Sequence, residues 1–526
     1  MTFDETFKSA YGFTDPSLDL GNVLREGSAT ADLPIRVPLR MMNRHGLIAG
    51  STGTGKTRTL QLFAESLSRA GVPVFLADVK GDLAGMCVPG VANDRLNQRA
   101  AAVGRTFTPE AFPVEFFSLT GKNGTQVRAS VTSFGPVLLG KILDLTDVQQ
   151  SVLAMVFKYC DDRHMPLLDF DDLRSVLTYL SDEGKEELKQ YGGMSAATVG
   201  VLVRKMVELE QQGAAKFFGE PELDINDLLR TVNGKGVVNI LSLADVQDKP
   251  RLYSTFLMWL LGQFYYKSPE VGDADKPKLV FFFDEAHQLF ADASSALTEH
   301  IEQVARLIRS KGIGVFFITQ TPKDVDEDVL AQLGNRVQHA IRAFTAKDAK
   351  NIKATASTFP PSQHVDIQQS LTTLGIGEAL VTVLDPKGVP TAVAPTQILA
   401  PSSSMSAIDD ATYARVIASS PIAPKYANAT NRESAYEILQ KRYEAAEQAA
   451  AQEQEQEREP EPQPRNADDD FSWRQTSSRR APARKTSTAR PRQSAVERTV
   501  QTVGRQVART MTQQIVRGIF GMLKGR

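Results

Sequence analysis

Gly50-Ser51-Thr52-Gly53-Thr54-Gly55-Lys56-Thr57 constrains this chain more than any other segment. Gly50, Gly53 and Gly55 give the backbone freedom to turn several N–H groups onto phosphate oxygens. Lys56 supplies a point charge for β- and γ-phosphates, and the Thr57 hydroxyl suits a magnesium ion. Arg58 to Arg69 predicts a helix whose N-terminus favours negative charge. Gly46–Ala49 is a short apolar strand leading into the loop. A strand, a glycine-rich loop and a helix in that order make an α/β fold the expected class.

A second segment completes the chemistry. Leu279-Val280-Phe281-Phe282-Phe283 is an apolar strand ending in Asp284-Glu285. Asp284 fits the metal side of a nucleotide site, and Glu285 fits a general base for an attacking water. An acidic pair at a strand end also serves as a helix cap. The loop upstream makes nucleoside triphosphate hydrolysis the stronger reading. Gln320 ends the strand Gly314–Thr319 and is placed to sense the γ-phosphate; Lys323 beyond it reads as exposed. Asp78-Val79-Lys80-Gly81-Asp82 follows another strand, at the edge where parallel sheets bind ligands. Asp78 is a candidate for the magnesium shell and Lys80 for a phosphate or a neighbouring side chain, against a plain turn. The expected nucleotide-binding set is therefore Gly50 to Arg58 with Asp78 and Lys80. His45 and His287 lack the spaced partners of a zinc site.

Many ring ATPases complete their site with an arginine from the next subunit. Arg306, Arg309, Arg336 and Arg342 are the candidates. Arg309 ends the helix before the Gln320 strand. Arg336 and Arg342 bracket the following strand and are favoured for that reason.

Composition divides the chain. Residues 1–40 are a mixed lead-in, and 41–394 alternate strands with helical patterns. A helix-rich insertion spans about 142–230, and a hairpin pairs Glu378–Leu384 with Val389–Val393 around Asp385-Pro386-Lys387-Gly388. Residues 395–430 read as a linker opening on a Pro-Ser-Ser-Ser run. Composition predicts a charged helix over 431–459 and a disordered linker over 460–494. The spacing of Val496, Val500, Val503, Val507, Met511, Ile515 and Ile519 on one stripe predicts a basic amphipathic helix over 495–526. Net charge is only −2, yet residues 474–526 hold 13 Lys or Arg and one acid, Glu497. That segregation suits a polyanion such as DNA, RNA or an anionic surface. Two cysteines, Cys87 and Cys160, argue against a disulfide scaffold. The absence of a secretion signal and of an apolar stretch long enough to span a bilayer predicts a cytoplasmic protein.

Leu47-Ile48-Ala49-Gly50, Asp78-Val79-Lys80-Gly81-Asp82-Leu83, Phe283-Asp284-Glu285-Ala286-His287 and Phe317-Ile318-Thr319-Gln320 together resemble the HerA/FtsK group of P-loop ATPases. Gly504-Arg505-Gln506 and Arg517-Gly518 extend the resemblance into the tail, closest to the bacterial HerA-like (YjgR-like) family. The resemblance implies a RecA-like core, a homohexamer, and ATP with Mg2+. It matches Lys56 and Thr57 to the phosphate and metal residues, Asp284 and Glu285 to the second motif, and Gln320 to the glutamine sensor. It further implies DNA translocation or unwinding, in some relatives beside a nuclease. With only about 45 residues before the loop, the N-terminal barrel on which HerA pairs with its nuclease is not expected in this sequence, which weakens the expectation of a nuclease partner. The competing expectation is a regulatory or scaffolding ATPase whose nucleotide-switched oligomer docks a protein partner or an anionic surface.

Overall fold

The computed structural model describes residues 1–272, 274–290, 295–342 and 345–456. The expected linker 460–494 and basic helix 495–526 lie outside them. In chain order, helix α1 (Phe3–Tyr11) precedes strands β1 (Ser17–Arg25), β2 (Ser28–Pro38) and β3 (Gly46–Ala49). Helix α2 (Lys56–Arg69), β4 (Val74–Asp78), α3 (Asp94–Ala102), β5 (Val114–Ser118) and β6 (Thr125–Gln126) follow. Five helices come next: α4 (Val131–Ile142), α5 (Asp147–Asp162), α6 (Phe170–Ser181), α7 (Lys185–Leu188) and α8 (Ala196–Gln211). A small separate hairpin, β7 (Thr231–Val232) and β8 (Lys235–Gly236), leads to β9 (Val238–Ser242) and α9 (Pro250–Lys267). The sheet is completed by β10 (Leu279–Phe283), β11 (Ile313–Thr319), β12 (Asn335–His339), β13 (Glu378–Thr382) and β14 (Ala394–Ile398).

Twelve strands form one sheet in the order β2-β1-β14-β13-β12-β3-β11-β10-β4-β9-β5-β6. From β12 to β6 every pairing is parallel; β13, β14, β1 and β2 add an antiparallel flank. The chain thus has a RecA-like α/β core with a mixed sheet and a helical insertion. Strand β10 shows why it sits at the centre. Its alternate side chains supply both cores, as period-two geometry requires. Phe281 packs at 5.5 Å from Phe264 of α9, while Phe282 faces Phe63 of α2 at 6.3 Å. Helix α9 is apolar nearly all round and is buried accordingly, from Leu252 through Phe264.

Three boundaries differ from the reading of composition. The lead-in 1–40 supplies α1 and two sheet strands; Pro34 and Pro38 lie in the edge strand β2, where a missing N–H costs least. The helical insertion begins at Val131, because the break at Gly135 (φ 67°) and Pro136 hides the period of α4. The segment 395–430 is not a linker. Its first residues belong to β14, which pairs with β13 and β1. The expected hairpin forms next to its turn, with Leu384 bridging Pro390 and Thr391 N–H donating to Val383 O at 2.8 Å, but the regular strand that pairs with β13 is Ala394–Ile398. Thr391 marks the change: Val383 N–H donates to its hydroxyl at 3.0 Å instead of to a backbone carbonyl. Further on, Tyr413 packs on Phe116 at 4.6 Å, and the buried Tyr426 hydroxyl accepts from Asp224 N–H at 3.0 Å.

Residues 402–405 cross α2 as a strap. The fully buried Glu65 carboxylate accepts from the N–H groups of Ser402 (2.7 Å) and Ser403 (2.9 Å), and Gln61 donates to the Ser403 hydroxyl at 2.7 Å. Among the described residues no helix is long and apolar enough to cross a membrane.

Candidate nucleotide site

Strand β3 delivers the phosphate loop and β10 delivers the acidic pair. One strand, β11, runs between them, and its register sets Thr319 beside Ala49 and Phe317 beside Phe283. Gln320, just past β11, therefore stands between loop and acids. Its carbonyl accepts from Gly50 N–H at 3.2 Å, and its side chain is exposed. The parallel sheet thus brings three sequence-distant segments to one edge, where ligands of such sheets bind.

The loop's shape rests on its glycines. Gly50, Gly53 and Gly55 have φ of 152°, 77° and 121°, conformations open to glycine. A Cβ on Gly50 would stand 2.5 Å from His339 Cβ. Lys56 is buried, and its ammonium donates to the carbonyls of Gly50 (2.7 Å) and Ser51 (3.2 Å). Burial lowers its pKa, and the charge of Glu285 opposes that. Thr54 donates its hydroxyl to Ser51 O at 2.7 Å, which tightens the turn. Thr52 is exposed and Thr57 half-buried in the first turn of α2.

His339 lies under the loop and did not stand out in the sequence. Its Nδ1 faces the Glu378 carbonyl at 2.9 Å, and a carbonyl only accepts, so Nδ1 carries the proton. Nε2 then accepts from the Thr59 hydroxyl at 2.8 Å. Burial holds the ring neutral, with its pKa lowered to about 4. His45 is likewise buried, with Nδ1 accepting from Val315 N–H at 3.0 Å. Both histidines fasten strands and have no vacant nitrogen for a metal.

The acidic pair is buried and strained. Glu285 has φ 49°, the left-handed region that a non-glycine residue seldom occupies, as at many functional sites. Asp284 Oδ1 accepts from Glu285 N–H at 2.9 Å, and Asp284 Oδ2 is buried with no hydrogen-bond partner among the described residues. An orphaned carboxylate oxygen beside a phosphate loop fits a hard divalent cation, which Mg2+ sites bind through one or two protein oxygens plus phosphates. No cluster of three or more metal-ligating side chains occurs among the described residues. Burial, then the charge of Glu285, raises the Asp284 pKa from 3.8 to about 7.

This shift makes a pH prediction. The folded pKa lies above the unfolded one, so ionised Asp284 costs stability, and the cost grows as pH rises from 4 to 7. Asp284→Asn should raise the thermal midpoint of nucleotide-free protein at pH 8, and the gain should shrink steadily toward pH 4. Equal midpoints for variant and parent at pH 8 would contradict it.

Lys80 pairs with Glu285 Oε1. Burial works against the lysine's charge, but the hydrogen bond and charge of Glu285 outweigh it and raise its pKa. Glu285 Oε2 lies 3.3 Å from His287 Nδ1, outside hydrogen-bonding geometry, and has no other partner among the described residues. Lys80 is therefore a neighbour of the acidic pair. Asp78 differs from its expected place in the magnesium shell. Its two oxygens accept from the N–H groups of Gly81 (2.7 Å) and Leu83 (3.1 Å), so it shapes the loop after β4. Burial, then the charge of Asp82, raises its pKa to about 6. Arg58 also differs: one residue past Thr57, it points about 100° round the helix. Its guanidinium holds Gln61 at 3.0 Å and the Met405 carbonyl of the strap.

The arginines fall on two opposite edges. Strand β12 runs parallel to β3, so a residue before it and one after it are about 16 Å apart along the strand. Arg342 comes after, at the loop: its N–H donates to the Ser51 hydroxyl at 2.9 Å. Arg336, inside the strand's start, joins Arg44, Arg306 and Arg309 around a cleft of about 610 Å³ at the far edge. Bracketing a strand thus separated the favoured pair. The Arg336 guanidinium is committed to the carbonyls of Thr358 (2.9 Å), Leu333 (3.3 Å) and Leu330 (3.4 Å). Arg306 lies 3.7 Å from Glu302. Arg309 is exposed, and its guanidinium has no hydrogen bond or ion pair among the described residues.

Comparison with known proteins gives consistent matches. The family model described as "Helicase HerA-like C-terminal" matches residues 24–526. The DNA double-strand break repair helicase HerA of Saccharolobus solfataricus is 21% identical over 383 residues, covering 72% of this chain and 68% of the relative. HerA of Sulfurisphaera tokodaii is 20% identical over 391 residues, covering 70% and 67%. The chain thus spans about two thirds of these relatives' length. Among solved structures, the bacterial conjugative coupling protein TrwBdeltaN70 is 15% identical with a TM-score of 0.46, over 76% of this chain and 99% of that one. VirB4 of Thermoanaerobacter pseudethanolicus is 15% identical with a TM-score of 0.46, over 74% and 97%.

Proposed function

Since the chain belongs to the HerA-like helicase C-terminal family of P-loop ATPases, we propose that it hydrolyses ATP in a ring of identical subunits, six by family analogy, and uses the cycle to move along or unwind DNA. One observation carries the reading: the phosphate loop, Asp284-Glu285 and Gln320 share one sheet edge, while Arg309, without a partner among the described residues, lines a cleft at the other. A subunit so built carries both halves of a site that two neighbours can complete. The names of the HerA relatives favour DNA as the track.

In this reading Lys56 releases the Gly50 and Ser51 carbonyls and takes up the β- and γ-phosphates. Thr57 and Asp284 hold the magnesium ion, which neutralises phosphate charge when bound. Lys80 holds Glu285 in place through Oε1, and Oε2 is left to accept a proton from the attacking water. Gln320 senses the γ-phosphate and passes its presence to Gly50 through the shared backbone bond. Arg309 reaches the γ-phosphate of the adjoining subunit.

The test is ATP hydrolysis with and without DNA, alongside displacement of a protein roadblock from labelled DNA. DNA stimulation and displacement, both lost in Lys56→Ala, are expected. Hydrolysis indifferent to DNA and RNA of every length would overturn the motor and favour a scaffolding ATPase with a protein partner. Mass measurement with and without nucleotide checks the ring.

A further inference from the structure

The turn that carries Gln320 is clasped from both sides by one carboxylate. Asp324 Oδ2 accepts from the Thr319 hydroxyl at 2.6 Å and from Thr321 N–H at 2.9 Å, and Oδ1 accepts from the Thr321 hydroxyl at 2.9 Å. Thr319 ends β11 and is fully buried, whereas Thr321 caps the short helical turn Pro322–Asp324.

Capping accounts for part of this arrangement. A side-chain acceptor inside a helical turn that reaches back to the N–H of its cap is ordinary, and here it holds Thr321. The bond to Thr319 is of another kind. It crosses Gln320 to reach the end of a sheet strand, and at 2.6 Å it has the length of a strong hydroxyl-to-carboxylate bond. With a neighbour held on each side, the backbone of Gln320 has little freedom, and its exposed side chain is the part left to move. The carbonyls of Thr319 (3.3 Å) and Gln320 (3.2 Å) both accept from Gly50 N–H, so the clasp also sets the turn against the phosphate loop.

We propose that Asp324 is a positioning residue for hydrolysis, holding Gln320 at the phosphate edge through Thr319 and Thr321 without itself touching nucleotide or water. The inference rests on the proposed sensing role of Gln320 and names what sets its geometry. On a clasped turn the side chain meets the γ-phosphate from one fixed origin. On a loose turn it would spread over many positions, and the share of molecules poised for attack would fall.

Turnover at saturating ATP and ATP affinity by calorimetry, both on the full chain, test this. Thr319→Val removes the crossing bond while keeping the β-branch and the cap at Thr321. It should lower turnover about tenfold and leave ATP affinity unchanged. Thr319→Ser keeps the hydroxyl and should restore turnover. Asp324→Asn keeps an oxygen for the Thr319 hydroxyl and Thr321 N–H, and should stay within about twofold of the parent. Added to Gln320→Ala, Thr319→Val should cost nothing further, because it acts only through Gln320. Parental turnover in Thr319→Val, a loss of affinity in step with turnover, or losses that multiply in the double variant would overturn the proposal. Failure of the underlying reading looks different: Gln320→Ala by itself would then turn over ATP like the parent.

Discussion

Glu285→Gln should bind ATP as tightly as the parent protein and hydrolyse it at least about a hundredfold more slowly, the usual contribution of a positioned general base. Glutamine preserves shape and burial but cannot take the proton from water. The comparison needs two measurements, nucleotide affinity by calorimetry and phosphate release under saturating ATP. Lys80 sharpens it. In the parent the lysine pairs with Glu285 Oε1, and in Glu285→Gln that ion pair becomes a hydrogen bond from the lysine ammonium to a neutral amide oxygen. A variant that retained near-parental turnover would show that Glu285 is a structural cap at the end of β10 and not the base.

Arg309→Ala should lower hydrolysis by about a thousandfold while ATP binding persists, as for other arginines supplied across a subunit boundary. Arg309 lies at the sheet edge away from its own phosphate loop, so the defect should be complementable. Mixing Arg309→Ala with Lys56→Ala creates contacts in which an intact loop meets an intact arginine from the other variant. Partial recovery of phosphate release in the mixture is the expected result. Arg342→Ala mixed with Lys56→Ala should not recover if Arg342 serves the loop beside it. Absence of recovery in the Arg309 mixture would remove Arg309 from the role and leave its cleft unexplained.

Much of the site was legible in sequence because it lies in contiguous runs with strong local meaning. The loop Gly50–Thr57, the strand before Asp284-Glu285, and the strand before Gln320 each announce themselves. Their convergence follows from parallel strands alone, since the residues after such strands share one edge. Side-chain commitments were less legible. Asp78 sits where a metal ligand is expected, but backbone N–H groups two and four residues beyond Val79 claim its oxygens. Arg336 and Arg342 look like a pair in sequence, yet a parallel strand carries them to opposite edges.

Helix α2 marks the same divide most clearly. Arg58, Gln61, Glu65 and Arg69 recur at three and four residues, which in a sequence describes a solvated face. In the fold, Gln61 and Glu65 are fully buried beneath residues 402–405, more than three hundred positions later. By itself the sequence determined the kind of chemistry and the class of sheet, because phosphate binding and strand periodicity are written in neighbouring residues. Only the tertiary structure decided which polar side chains are left for a ligand. That depends on backbone groups arriving from distant segments, and a polar stripe carries no mark of what will cover it.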